Sequence, residues 1–375
     1  MTSFHTLPDC LACGGDDLSL VLSLGHQPLA NAFTPAPQVL PTFPLWLRRC
    51  RTCGHLQLSG SVDRSALFTD YIYRSGTTQT LRDYFDWFAA WVTVRHGVGR
   101  VLDIACNDGS QLDAFRRLGW RTYGVDPAAN LSEHNRHPHR VAFFDGDCLD
   151  LGRFDVIVAQ NVVAHTDDPL GMLAVAGQMT DHLYVQTSQA RMVERGEFDT
   201  IYHEHLSFFS PRSMGALAQR AGLTVQDVTV TPIHGESFVF HLGHKPAEVD
   251  LPGWSEAQVH RFAGDALTVI EDLREILVSH KHVVGYGAAA KAMTLLNAVG
   301  VGPVYIVDDA PEKQGRFCPG IGTPVLPPTV LADEGPRLEL VPLAWNFHDE
   351  IVQRVRQHYT GSLHTLRYFP EVRWS

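Results

Sequence analysis

The stretch RVLDIACNDGS (residues 100–110), followed by RTYGVD (residues 121–126), decides the fold of this chain. Each stretch opens with a strand-like run that ends in acidic or polar residues, and residues 111–118 between them have helical periodicity. This strand–helix–strand order is typical of a doubly wound parallel sheet, which binds its ligand at the carboxyl ends of the strands. We expect further strands at residues 141–147, 154–160 and 182–187.

Acids at the ends of three successive predicted strands point to the cofactor. Asp126 lies 23 residues beyond Asp103, where a carboxylate can accept hydrogen bonds from ribose hydroxyls, and Asp147 ends the third strand. The loop after the first strand has no GxGxxG; the segment 103–109 carries two acids and one glycine. It therefore suits the cationic ammonium group of S-adenosylmethionine better than a pyrophosphate. The alternative is a doubly wound domain without this cofactor.

Two CxxC pairs predict a zinc-binding N-terminal domain. Cys10, Cys13, Cys50 and Cys53 can hold one tetrahedral Zn²⁺, and with sulfur in all four positions the metal would be structural. The 36 residues between the pairs (14–49) contain five prolines, so we expect an inserted loop or hairpin and no long helix. Two disulfides, or four buried thiols, are the alternatives.

Composition excludes several classes of protein. The chain has 375 residues, 45% hydrophobic and 19% charged, which predicts two or three globular domains. Its net charge of −11 disfavours nucleic-acid binding, and residues 1–75 carry five Arg and five Asp without net charge. We expect a cytoplasmic monomer with no nucleic-acid or membrane partner, since the chain shows no long apolar run, no signal-peptide pattern and few cysteines.

The segment FDTIYHEHLSFFS (residues 198–210) places four polar groups between apolar flanks, after the fifth predicted strand. Tyr202, His203, Glu204 and His205 predict an acid–base cluster, because histidine titrates near neutral pH and a neighbouring carboxylate can orient it. A zinc site is disfavoured, since His203 and His205 would face opposite sides of an extended segment. A packed structural loop is the other alternative.

The last third of the sequence predicts a second α/β domain. Ser255 and Gln258 form a capping box that opens a helix running to about residue 279. A strand with a glycine turn (282–287), a helix (288–299) and a strand (303–308) follow, and this βαβ unit could hold phosphate at a helix N-terminus. Lys291 is either a ligand there or an exposed helix residue.

Four separate stretches carry a family resemblance: residues 198–210, SLGHQPLANAF (23–33), NVVAH (161–165) and GYGAAAK (285–291). With them, the chain resembles the bacterial sugar C-methyltransferases, which act on nucleotide-linked 4-keto-deoxysugars, and residues 103–109 resemble motif I of class I methyltransferases. The resemblance implies an α/β protein with a zinc-binding domain (1–75), a central doubly wound methyltransferase domain (76–250) and a Rossmann-like C-terminal domain (251–375) that helps hold the nucleotide.

The resemblance also implies residue roles for methyl transfer from S-adenosylmethionine to C3 of a dTDP-linked sugar. His205 would be the base, with Glu204, Tyr202 and His165 beside it. The implied cofactor-binding residues are Asp103, Asn107, Asp108, Gly109, Asp126, Asp147 and Asn161. The implied substrate-binding residues are Tyr73, His234, Tyr286 and Lys291.

The sequence departs from the family pattern near the expected pocket. Ala105 replaces a glycine of the first loop, Glu236 lies within an HGGS-like segment, and Val239 stands near the place of an expected arginine. Three other functions therefore stay open: O- or N-methylation of a similar sugar, an RNA methyltransferase or RNA-binding module with a zinc ribbon, and a protein that binds nucleotide sugars without turnover.

Overall fold

A computed structural model of the chain describes residues 3–69, 74–369 and 371–375. They form two compact units, each built from separate parts of the sequence. The first comprises Met1–Ser19, Arg48–Ala190 and Glu204–Trp254, and the second comprises Leu20–Leu47, Arg191–His203 and Ser255–Ser375. The three-domain boundaries expected from the sequence stay a prediction.

Strands and helices alternate through most of the chain. The described strands are β1 (Phe4–Thr6), β2 (Leu18–Gln27), β3 (Phe43–Cys50), β4 (Leu56–Leu58), β5 (Gly60–Val62), β6 (Arg100–Ile104), β7 (Arg121–Asp126), β8 (His139–Val141), β9 (Val156–Gln160), β10 (Leu183–Thr187), β11 (Ser207–Phe208), β12 (Thr224–Thr231), β13 (Ser237–Gly243), β14 (Val283–Tyr286), β15 (Tyr305–Val307), β16 (Val325–Leu326), β17 (Arg337–Pro342), β18 (Ser362–Arg367) and β19 (Arg373–Trp374). The described α-helices are α1 (Arg64–Phe68), α2 (Gln79–His96), α3 (Ser110–Arg117), α4 (Ala129–Ser132), α5 (Pro169–Met179), α6 (Met192–Arg195), α7 (Pro211–Arg220), α8 (Glu256–Ser279), α9 (Ala290–Val299) and α10 (His348–His358).

The first unit contains a seven-stranded sheet in the order β12-β13-β10-β9-β6-β7-β8. Neighbouring strands from β10 to β8 are parallel, whereas β13 runs antiparallel to both β10 and β12. A parallel sheet with one reversed strand beside its edge is the strand order of class I methyltransferases. The doubly wound sheet predicted from the sequence is confirmed.

Both faces of this sheet are covered, which explains the continuous apolar runs of its strands. Successive residues of a strand point to opposite faces. Leu102 and Ile104 of β6 belong to a buried cluster with residues of α5 and α7, whereas Val101 packs in a second cluster with Phe88 of α2 and Phe115 of α3.

The expected third strand at residues 141–147 is wrong. Strand β8 ends at Val141, and residues 146–151 form a 3₁₀ helix. The Asp145 side chain caps this helix, since its Oδ1 accepts the Asp147 N–H at 3.1 Å. A local side-chain acceptor offers the backbone an alternative to a sheet ladder, so residues 146–151 form a helix and not a strand.

The second unit contains a six-stranded sheet in the order β16-β15-β14-β17-β18-β19, parallel except for β19. This is a Rossmann-like order, as predicted. The capping box of α8 is also confirmed: the Ser255 hydroxyl accepts the Gln258 N–H at 3.2 Å, and the Gln258 side chain accepts the Ser255 N–H at 2.9 Å. In the described ranges of the chain, no helix has the length and apolarity that a membrane span requires.

The proline-rich stretch between the CxxC pairs contains no helix, as expected. It holds most of the long strands β2 and β3, and the chain passes from the first unit to the second and back along them.

Candidate functional site

The four cysteines of the CxxC pairs converge in two turns of the same geometry. The Cys10 N–H donates to the Gly15 carbonyl at 2.8 Å, and the Cys50 N–H donates to the His55 carbonyl at 2.9 Å. In each turn the glycine four residues after the first cysteine has a left-handed φ, 79° at Gly14 and 78° at Gly54. Only glycine adopts this conformation without strain, so the sequence dictates the turn.

The donor set fits a tetrahedral zinc ion. The Sγ atoms of Cys10, Cys13, Cys50 and Cys53 all lie within 4.8 Å of one another, with the shortest pairs at 3.5 and 3.6 Å. Four thiolates at about 2.3 Å from Zn²⁺ have this spacing, whereas a disulfide requires about 2.05 Å. No other protein ligand is needed, so the site is closed and the zinc is structural.

The loop after β6 is held by carboxylates. Asp126, at the end of β7, accepts the Asn107 N–H and the Ala128 N–H, both at 2.8 Å. Asp108 accepts the N–H groups of Gly76 at 3.0 Å and of Ser110 at 3.1 Å. Two neighbouring loops and the start of α3 are therefore fixed around acidic side chains.

The charge of this loop suits a cationic ligand. Burial raises the pKa of Asp103 well above its usual range, and the nearby charges of Asp126 and Asp108 raise it further. Burial also raises the pKa of Asp126. The Arg74 guanidinium lies 3.9 Å from Asp108 and offsets part of this charge. A ligand that brings an ammonium group and a sulfonium group into this site stabilises the ionised carboxylates, and S-adenosylmethionine carries both.

Backbone strain is concentrated at one edge of the sheet. In the part of the chain that the structure describes, six residues other than glycine have positive φ. They lie after β6, after β9, after β10 and just before β13, which starts beside the end of β10. They are Ala105, Asn107, Asn161, Gln189, His234 and Glu236. Strain of this kind persists where a function requires the geometry, so these loops mark the carboxyl edge as the site.

Buried polar atoms at this edge point the same way. Several buried side-chain atoms at this edge have no hydrogen-bond partner among the described residues, although leaving such an atom unpaired costs about 1–3 kcal/mol. They are both amide atoms of Gln160, Nε2 of Gln186, Oγ1 of Thr187, Oε1 of Gln189 and Nδ1 of His165. A bound ligand would satisfy them.

His205 is buried at this edge and has an amide partner. Its Nδ1 lies 3.2 Å from Nε2 of Gln189, and its ring meets that of His165 edge to face at 4.8 Å between centroids. Burial lowers the pKa of His165 to about 4, so this ring is neutral at pH 7. Sequence reasoning missed Gln189, although the polar run QTSQ directly after β10 was a signal.

The other residues of the YHEH segment lie on both sides of a unit boundary, which falls between His203 and Glu204. Glu204 is buried in the first unit, and Tyr202 is half-buried in the second. His203 is buried against Phe43, whose carbonyl lies 3.3 Å from His203 Nε2, and burial lowers the His203 pKa to about 4. This histidine therefore has a structural partner of its own.

The remaining predicted residues of the first unit vary in burial. Asn161 is half-buried, and its Oδ1 accepts the Ser188 N–H at 3.2 Å. Gly109 caps α3 with φ 79°. Asp147 and His234 are exposed. Tyr73 lies outside the described residues. The roles assigned to all these residues stay predictions.

In the second unit, the predicted residues Tyr286 and Lys291 lie at the glycine turn after β14. The Tyr286 hydroxyl donates to Asp309 at 3.0 Å. Lys291 lies over the Trp345 ring at 5.4 Å, and the Trp345 indole N–H donates to the buried Asp199 at 2.8 Å. Burial raises the pKa of Asp199, while the charge of Lys291 lowers it.

A cavity of about 510 Å³ opens in the same unit at the ends of β17 and β18. Trp345, Phe347, Arg367 and Phe369 are among the residues that line it. Aromatic and basic groups can hold a base and a phosphate, but no sequence motif predicts a cavity at this position.

Three family models match consecutive parts of the chain. They are described as "Putative zinc binding domain" (residues 10–68), "Methyltransferase domain" (73–228) and "C-methyltransferase C-terminal domain" (254–369). The C-methyltransferase NovU of Streptomyces niveus is 28% identical over an alignment of 407 positions, gaps included, which covers 98% of this chain and 96% of that protein. The chain is therefore similar to this C-methyltransferase along almost its whole length. The chain is an enzyme that uses S-adenosylmethionine to methylate carbon, and its four cysteines form a site for structural zinc.

Other similarities cover less of the chain. A ubiquinone biosynthesis O-methyltransferase of Nitrobacter winogradskyi is 36% identical over 77 residues, which cover 18% of this chain and 30% of that protein. Among solved structures, magnesium protoporphyrin IX methyltransferase of Synechocystis PCC 6803 with bound SAM has 13% identity and a TM-score of 0.35, and the alignment covers 44% of this chain and 79% of that one.

Cys50→Ser should release the zinc of the four-cysteine site, because three thiolates leave the coordination open. Metal analysis of purified protein should show one zinc less per chain, with a lower melting temperature and S-adenosylmethionine affinity largely retained. Cys148→Ser, which changes a buried thiol outside the cluster, is the control and should keep the full metal content. Wild-type protein without zinc would contradict the assignment.

Ala105→Gly should stabilise the protein, because Ala105 has φ 60°. The left-handed conformation costs alanine about 1–2 kcal/mol, and the greater freedom of glycine in the unfolded chain offsets about half of the gain. Urea unfolding should show an increase of about 0.5–1 kcal/mol. The control Ala90→Gly, at an exposed interior position of α2, should instead lose about 1 kcal/mol. Equal losses in both variants would contradict the strain.

Proposed function

We propose that this C-methyltransferase acts on a nucleotide-linked 4-keto-deoxysugar, dTDP-linked, and methylates it at C3. The observation that carries the proposal is the buried His205 at the strained carboxyl edge, with Gln189 as its partner. Carbon accepts a methyl group only after it has gained negative charge. A carbonyl at C4 lowers the cost of that charge at C3, and a histidine is a suitable base for the C3 proton at neutral pH.

The neighbouring His165 does not oppose proton uptake by His205. His165 is neutral at pH 7, so its ring, 4.8 Å from that of His205, does not repel the imidazolium that forms. Glu204 directly precedes His205 in the chain and is buried, and a carboxylate within reach of the ring would stabilise the same cation. Together with Tyr202 these side chains keep the roles that the family resemblance implies.

Proton removal leaves the electron pair of the C3–H bond on an enolate whose oxygen carries the charge. The buried hydroxyl of Thr187, at the carboxyl end of β10, has no partner among the described residues and is the donor that we assign to this oxygen. Donors fixed in advance stabilise such charge most effectively. Bound S-adenosylmethionine supplies the electrophilic methyl group, and Asp103, Asp108 and Asp126 would hold its cationic and ribose groups.

The tautomer of His205 depends on Gln189. The amide N–H of Gln189 donates to Nδ1 of His205, and its Oε1 has no partner within the described chain. A rotation of this amide by 180° would satisfy both side chains, because Oε1 would then accept a hydrogen bond from Nδ1–H. His205 then donates from Nδ1–H, and Nε2 is left as the base. Gln189 is therefore a positioning residue.

The nucleotide is assigned to the second unit. Lys291 is charged and lies near the N-terminus of α9, where backbone N–H groups also favour phosphate. Tyr286 contributes a hydroxyl at the same turn.

His205→Ala should abolish the exchange of the substrate C3 proton with solvent deuterium, because no base remains. NMR of a dTDP-4-keto-deoxysugar incubated with enzyme in D₂O measures the exchange, and calorimetry should show unchanged affinity for S-adenosylmethionine. His260→Ala, an exposed change in α8, is the control. Exchange at the wild-type rate would remove His205 from the base role. A methylated product without exchange in wild type would favour O- or N-methylation.

Gln189→Glu should move the acidic limb of the kcat/KM profile to higher pH by about one unit or more, because a carboxylate stabilises the imidazolium. Gln189→Leu should lower kcat across the profile without moving the limb upward, since the ring loses its partner. A merely structural role would leave the profile of Gln189→Glu in place. Circular dichroism checks that both variants fold.

A further inference from the structure

Three histidines meet at the opposite end of the methyltransferase sheet. His96 is the last residue of α2, His182 directly precedes β10, and His241 lies in β13. One ring nitrogen of each lies within 4.8 Å of those of the other two, and all three side chains are half-buried. Since β10 starts at Leu183 and its carboxyl end is Thr187, this cluster is separate from the catalytic edge.

The nitrogen atoms are spaced for a shared metal ion. Nδ1 of His182 lies 3.1 Å from Nε2 of His241. Two imidazoles on a tetrahedral zinc ion, at about 2.0–2.1 Å each, have their nitrogens roughly 3.3 Å apart. The His96 and His182 rings lie 4.0 Å apart between centroids, so a small rotation of His96 completes the set.

The rings are held in place by the sheet. His241 pairs with Tyr184 across β13 and β10, and the two rings stack at 4.5 Å with an angle of 8°. The Tyr184 hydroxyl lies 2.7 Å from Nε2 of His96. A fixed neighbour of this kind orients a ligand ring and is typical of metal sites.

The surrounding charges are balanced. Arg95 and Lys245 are the nearby cations, and Asp181 and Asp227 are the nearby carboxylates. Arg95 packs over the Trp91 ring, and Asp181 is paired with Arg153 at 2.9 Å.

We propose that His96, His182 and His241 form a second metal site, which binds a divalent transition ion such as Zn²⁺ through three imidazoles and leaves one position for water. Three imidazoles without thiolates suit Zn²⁺ and its neighbours in the first transition row. The ion would link α2 to two strands of the sheet. The stability of the first unit should therefore rise with the concentration of free ion.

The test is the zinc content of the full-length protein without an affinity tag. After dialysis against EDTA, which leaves the closed four-cysteine site loaded, the protein is equilibrated with Zn²⁺ and separated from free metal. Wild type should hold two zinc ions per chain, and His182→Gln and His241→Gln should hold one. Each substitution should weaken the second site at least tenfold, because loss of an outer partner alone costs about 10–100-fold. His260→Gln, exposed on α8, should stay at two.

A second measurement covers variants that fold poorly. Zn²⁺ should raise the melting temperature of EDTA-dialysed wild type and of Cys50→Ser, but not that of His182→Gln. Co²⁺ added to wild type should give bands of nitrogen and oxygen ligation in addition to thiolate charge transfer. A wild-type protein that takes up no zinc beyond the four-cysteine site, or His182→Gln that binds as wild type does, would overturn the proposal. Methyl transfer is not a readout, so the outcome is independent of the proposed substrate.

Discussion

The carboxylate of Asp126 holds the cofactor side of the enzyme together. It joins the loop after β6 to the end of β7 through two backbone N–H groups at 2.8 Å. These bonds help to hold Ala105 and Asn107 at their positive φ angles, together with the hydrogen bond from the Ala105 N–H to the Val125 carbonyl at 2.8 Å. The same carboxylate is buried beside Asp103, so the loop is fixed and charged at once. A cationic cofactor offsets the repulsion between these buried carboxylates.

The parallel sheet and its cofactor loop could be predicted from the sequence because they depend on local patterns. Apolar runs, the acids that end them and the capping box at Ser255 all act within a few residues. The prediction of a strand at 141–147 was wrong for a local reason that periodicity does not show. Asp145 gives the backbone another acceptor. The turns at the CxxC pairs could also be predicted, since the glycine after each pair dictates the turn.

Contacts that depend on strand register could not be predicted from local sequence patterns. Gln189 reaches His205 only because the chain turns back after β10 with a positive φ. The histidines at 96, 182 and 241 have no common spacing, and they meet because β13 pairs with β10 in one particular register. Contacts between distant positions depend on the whole fold, whereas a motif depends on its neighbours.

The two cysteine turns also bear on how the chain is made. All four zinc ligands are synthesised before the first strand of the seven-stranded sheet, so zinc can bind the four cysteines while the rest of the chain is still being translated. The helix that contacts the first cysteine turn is translated much later: Arg220, at the end of α7, donates to the Ala12 carbonyl at 2.9 Å. Zinc thus keeps an early segment in its final shape until its docking helix has been translated.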